Sequence, residues 1–247
     1  MTSPVFETAA QGTDTDATLT ITKPTDTAEN DLLIATMGSR TAAGSWSLAG
    51  WTFTQLGTSD AWAYKVAGAS EPANYTFTYS GAVAGVCGGI IRISGADTTD
   101  PIAAEPTPAT GGPDQAPDPP ASGSVTSGDY LAVAIAWQDD DTGSPSSPPT
   151  NYTERIEVVI DATDDAWTSI ATRELTGITS EDPGTFATDG SLVWYAATIL
   201  VAPPSAGHYV APTDDITTTG WTTTPLWSKI DDDPDSPDAT VITATAS

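Results

Sequence analysis

The chain carries one cysteine, one histidine and seven lysines and arginines together in 247 residues, and each scarcity excludes something. The lone cysteine, Cys87, cannot close an intramolecular disulfide. Its setting in Ala82-Val83-Ala84-Gly85-Val86-Cys87-Gly88-Gly89-Ile90-Ile91 reads as a small buried hydrophobe. The lone histidine, His208, follows Pro203-Pro204-Ser205-Ala206-Gly207, a stretch that leaves a side chain solvated, so Ser-His-Asp and Cys-His machinery lack a histidine to use. One His and one Cys also leave a transition-metal site short of ligands. No run of about 18 apolar residues is present to cross a bilayer as a helix. Met1-Thr2-Ser3-Pro4-Val5-Phe6-Glu7 has neither the basic start nor the apolar middle of a secretory signal. The sequence therefore predicts no membrane insertion.

Acids are abundant instead: 33 Asp and Glu give a formal net charge of −26. Such a surface repels phosphate backbones and anionic headgroups, so nucleic acid is excluded as a partner. It suits high ionic strength, where the Debye length falls to about 3 Å at molar salt and self-repulsion is screened. A halophilic source is expected. With carboxylates this dense, two of them at glycosidase spacing would carry little information, and no enzymatic activity is expected.

Asp31-Leu32-Leu33-Ile34-Ala35, Gly50-Trp51-Thr52, Trp62-Ala63-Tyr64-Lys65 and Glu71-Pro72 recur in looser form. Their counterparts are Asp129-Tyr130-Leu131-Ala132-Val133-Ala134, Asn151-Tyr152-Thr153, Trp167 to Arg173 and Glu181-Asp182-Pro183. A period of about one hundred residues predicts two similar β-rich halves. Within them strand signals follow one another with hardly any helical periodicity. Thr18 to Thr22 alternates and stops at Lys23-Pro24, while Leu32 to Met37 is apolar enough for a central strand. Strands are expected over Trp51 to Leu56, Ala61 to Val66, Asn74 to Tyr79 and Gly88 to Ser94. In the second half they are expected over Tyr130 to Trp137, Tyr152 to Ile160, Ala166 to Leu175 and Leu192 to Ala202.

Residues 98–126 hold seven prolines between Pro101 and Pro120 and read as an extended crossing without regular ladder hydrogen bonds. Residues 205–247 have no counterpart in the repeat and too few apolar groups for a core of their own, so they read as an arm. Trp221, Leu226, Trp227, Ile230, Val241 and Ile242 are its candidate assembly contacts. The expected fold is all-β: a jelly-roll-like β-sandwich over residues 1–204, with halves of about 13–97 and 127–203, followed by an extended C-terminal arm.

The ordered series Pro24, Asn30 to Ala35, Gly50-Trp51-Thr52, Ala63 to Ala67, Ser70 to Phe77 and Ile91 to Asp97 resembles a β-sandwich module. That module occurs in virion structural proteins of tailed phages and of related haloarchaeal tailed viruses. The resemblance spans about Thr13 to Pro203. Gly220-Trp221, Ile230-Asp231-Asp232 and Asp238 to Ile242 are similar to the opening strand of a second module of the same proteins, and the match goes no further. The resemblance implies a non-enzymatic protein on the virion surface, as capsid decoration, turret or spike, with tail or fibre as the near variant. It also implies partners: sister copies, as a trimer or pentamer, and other virion proteins.

Three further readings come from the residues alone. Asp139, Asp140 and Asp141, and Asp231, Asp232 and Asp233, bring carboxylates together as calcium would require, but neither run has the Gly and Glu positions of a calcium loop. The expectation is therefore no cofactor, with structural calcium as the alternative. Trp46 and Trp137, with Trp51, are candidate stacking surfaces for a host glycan, the function of an adhesion module. Asn74-Tyr75-Thr76 and Asn151-Tyr152-Thr153 are N-glycosylation sequons.

Overall fold

The computed structural model describes residues 3–41, 43–112, 116–139, 145–160, 166–188 and 193–205; at 40, 41, 83, 84, 139, 145 and 146 it describes the backbone alone. Described residues up to 204 belong to one compact unit, Met1–Pro204. They contain strands and no helix. The first half supplies β1 (Val5–Asp14), β2 (Thr18–Thr22), β3 (Leu32–Thr41), β4 (Trp46–Ser47), β5 (Thr52–Leu56), β6 (Asp60–Val66), β7 (Asn74–Tyr79) and β8 (Val83–Ser94). The second supplies β9 (Ile102–Ala104), β10 (Ala109–Gly111), β11 (Gly128–Asp139), β12 (Pro145–Ser147), β13 (Thr153–Ile160), β14 (Ala166–Ile178), β15 (Ala187–Thr188) and β16 (Trp194–Val201).

The repeat is carried by strand order. One broad antiparallel sheet runs β1-β8-β3-β6-β5 and the other β10-β16-β11-β14-β13, with β9 also on β16. The run β8-β3-β6-β5 thus has its counterpart in β16-β11-β14-β13, and β1 in β10. In the first half β2-β7-β4 makes a second layer, so pairing is nested: β1 with β8, β2 with β7, β3 with β6. β4 meets β5 through one side chain. Gln55 accepts from the Trp46 amide (3.1 Å) and donates to the Trp46 carbonyl (2.9 Å), replacing a strand pair with a carboxamide.

Alternation decides what faces what. Leu32 and Ile34 of β3 face a core shared with Leu131, Val133 and Ile135 of β11, so the two broad sheets stack face to face. Leu33, Ala35 and Met37 face the opposite way, onto Leu19, Ile21, Tyr75 and Phe77 of the β2-β7-β4 layer. The apolar reading of β3 as a central strand follows from this burial on both sides. Likewise Ala132, Ala134 and Ala136 of β11 turn outward under Tyr152 and Phe186. Each half therefore has a second layer of its own besides the shared stack.

Glycines let the sheets approach. A Cβ on Gly89 would stand 2.4 Å from Ile156 Cδ1, and one on Gly85 2.8 Å from Ile160 Cγ2, so β13 lies in a trough along β8. Cys87, between them, is wholly buried in the stack, as its apolar setting predicts. A buried hydrogen bond crosses here too: Thr36 Oγ1 lies 2.6 Å from Thr168 Oγ1, which itself donates to the Ala136 carbonyl (3.2 Å).

Two segments differ from expectation. The first half begins at Val5, because β1 pairs along β8 from Val5↔Ser94 to Asp14↔Val86. The stretch read as an unpaired crossing also pairs. Besides β9 and β10, it receives a bond from the Phe186 amide at the Pro117 carbonyl (2.8 Å), and the Ser122 and Val125 amides donate to Glu181 and Thr179 (both 2.8 Å). Pro101 and Pro117 serve as acceptors alone, through their carbonyls, so the segment parallels the role of β2. Residues 206–247, including all six arm contacts, lie outside the described residues.

Candidate functional site

Among the described residues, two charged clusters occupy equivalent places in the two halves. Lys65 stands near the end of β6 opposite Leu33, and Arg173 on β14 stands opposite Ala132, the counterpart of Leu33 by the face it presents. Each cation meets a glutamate from the chain that follows. Lys65 Nζ donates to Glu71 Oε2 at 2.8 Å, and Arg173 Nη1 to Glu181 Oε1 at 3.1 Å. Each glutamate is closed by a tyrosine: Tyr75 OH donates to Glu71 (2.8 Å) and Tyr152 OH to Glu181 (3.0 Å). The Gly68 amide adds a third donor to Glu71, at 2.7 Å.

Burial pushes the Glu71 carboxyl up, but the hydrogen bonds from Lys65, Gly68 and Tyr75 outweigh it and hold the group below its ordinary value of 4.5. Both tyrosines are pushed up, first by burial and then by the adjoining carboxylate. With three donors upon it, Glu71 is a poor base, and a phenol held protonated is a poor nucleophile. The arrangement is a clasp that fastens the strand end to the segment after it. Asp31 and Arg92 make a similar fastening between β3 and β8, Arg92 Nε donating to Asp31 Oδ2 at 2.6 Å. The Cys87 thiol, raised by burial and by Asp60, is correspondingly inert.

The aromatic candidates are corrected. Trp46 is 2% exposed and Trp137 1%, and Trp51 is 8%. Trp46 tilts against Tyr79 and spends its indole N–H on the Ser59 carbonyl (2.7 Å), while Trp51 packs edge-on to Tyr75 and Phe77. Trp137 belongs to the stack between the broad sheets. None presents a ring face to a glycan, because alternation turns each inward. Among the described residues no group of three or more His, Cys, Asp or Glu is placed to hold a metal. Asp139 closes β11 with only its backbone described, and Asp140, Asp141, Asp231, Asp232 and Asp233 lie outside the described residues.

Sequence reasoning found the clasps' charges without seeing their meeting, since Lys65, Glu71, Glu181 and Arg173 all fall within the repeated motifs. Tyr152 and Tyr75 also fall in the motifs, but nothing in the repeat pairs them with each other or with the glutamates. Tyr75 lies on β7 and Tyr152 just before β13, so they reach the same point from positions that are not equivalent. Comparison with known proteins gives no matching family model, no matching curated protein and no matching solved structure.

Proposed function

We propose that this chain is a non-enzymatic structural protein of a virus particle, displayed on its surface as capsid decoration, turret or spike, with tail or fibre as the near variant. The observation that carries the reading is nested pairing: β1 with β8, β2 with β7 and β3 with β6, echoed by β10-β16-β11-β14 in the second half. Nested pairing is what a jelly roll would require, and that fold is used repeatedly for viral capsid and lectin domains. The motif series that resembles a virion module supports the same reading. The lectin reading loses its named contacts, because Trp46 and Trp137 are core residues. Two broad sheets stacked face to face would serve as a projecting body, and an acidic surface would keep it solvated. Residues 205–247 act as the arm that joins neighbouring copies, as a trimer or pentamer.

Antibodies against the chain, applied to particles purified from cultures that carry its gene, should decorate the particle surface at repeated positions. Absence from the particles, with the chain in the soluble fraction alone, would overturn the reading. Strong binding on a glycan array would instead favour the adhesion module.

A further inference from the structure

The chain has three asparagines, and two of them begin the same tripeptide, Asn-Tyr-Thr, at 74–76 and 151–153. Both copies are anchored alike. The tyrosine is buried and donates to the clasp glutamate of a half, Glu71 or Glu181, while the asparagine and threonine on either side are exposed. Fixing the middle residue inward sets the carboxamide and the hydroxyl outward, and those are the two groups an N-linked transfer reads.

The two sites differ in their backbones. Asn74 opens β7, the middle strand of β2-β7-β4; it is in register with Thr22, and the Thr76 hydroxyl lies 3.1 Å from that of Thr20. Asn151 stands free of any ladder. It occupies a turn closed by the Tyr152 amide on the Pro149 carbonyl (3.0 Å), with φ of 69°, a left-handed conformation that asparagine tolerates. Thr153 then starts β13, the edge strand of its sheet. Neither the Asn151 carboxamide nor the Thr153 hydroxyl has a side-chain hydrogen-bond partner among the described residues.

We propose that Asn151 is an acceptor site for N-linked glycosylation in the folded protein, and that Asn74 is closed to transfer once β7 has paired. The donor is an oligosaccharide linked to a polyprenyl phosphate or diphosphate, and a membrane oligosaccharyltransferase supplies the base. Asn151 Nδ2 attacks the anomeric carbon of the first sugar. The carbon–nitrogen bond forms as the bond to the phosphate oxygen breaks, the amide proton passes to the transferase base, and the polyprenyl phosphate or diphosphate leaves according to the donor. No electrons change hands.

The test incubates the purified, folded full-length chain with membranes that carry an oligosaccharyltransferase and its lipid-linked donor, beside a short Asn-Xaa-Thr peptide as a positive control. Peptide mass spectrometry then reads both sites. Glycan on Asn151 with Asn74 bare is the expected result. Asn151→Asp, which keeps the left-handed turn, and Thr153→Ala should reduce the modified peptide to background, whereas Thr153→Ser should retain it; circular dichroism confirms that each variant is folded. A bare Asn151 in a reaction that glycosylates the control peptide overturns the proposal. So does glycan on Asn74 with Asn151 bare.

Discussion

The side chain of Glu71 is 4% exposed and keeps its charge because Lys65, Tyr75 and the Gly68 amide all donate to it. Replacing it by Gln retains shape but removes the charge those donors were arranged around. Glu71→Gln should cost about 1–3 kcal/mol in urea unfolding at pH 7. The sign of its pH dependence follows from the lowered carboxyl value. Glu71 contributes its full stabilisation above the ordinary value of 4.5, and the contribution fades as pH falls through the lower folded-state value. The stability gap between Glu71→Gln and the native chain should therefore close in acid; a gap of constant size from pH 7 to about pH 3 would contradict the clasp. Lys65→Met should destabilise at pH 7 as well, by leaving a buried carboxylate with two donors in place of three.

Among the elements, β8 depends most on what it lacks. Gly89→Ala would drive a methyl group against Ile156 Cδ1, whereas Gly88→Ala would meet the Thr36 carbonyl at 2.3 Å, an atom of the neighbouring strand itself. The first should cost about 1–3 kcal/mol and be partly relieved by Ile156→Val, with a favourable coupling of about 0.5 kcal/mol or more. Gly88→Ala should cost more and gain nothing from Ile156→Val. Denaturant unfolding of the single and double variants measures both. The same strands show how far sequence reaches. Asn74 to Tyr79 alternates polar with aromatic, and β7 forms there with each aromatic buried. β1 was hidden because Glu7-Thr8-Ala9-Ala10-Gln11-Gly12 has no apolar alternation; an edge strand with half of its side chains exposed needs none. The fate of Trp46 and Trp137 was equally hidden. A tryptophan in an alternating run declares that it has a side, and only the packed layers reveal which side is covered.

At the scale of the whole molecule, charge dominates. Among the described residues the large hydrophobics left exposed are Val5 and Val193, on a chain of net charge −26. Self-repulsion should limit stability in dilute buffer and be relieved by salt. Thermal unfolding against KCl concentration should show a rising midpoint, by about 2–4 °C for each kcal/mol of repulsion screened, and a midpoint indifferent to KCl would count against halophilic stabilisation. Removing residues 209–247 should leave the sandwich spectrum intact by circular dichroism and lower the mass measured by light scattering; unchanged assembly would refute the arm. The stack between the broad sheets also bears on fidelity. Gly85 and Gly89 of one half receive Ile160 and Ile156 of the other, so volume is distributed unequally between two otherwise similar bodies. A first half laid on another first half would set hollow against hollow, and two second halves would set bulk against bulk. Wherever many copies of the chain fold side by side, that inequality tells each half which partner is its own.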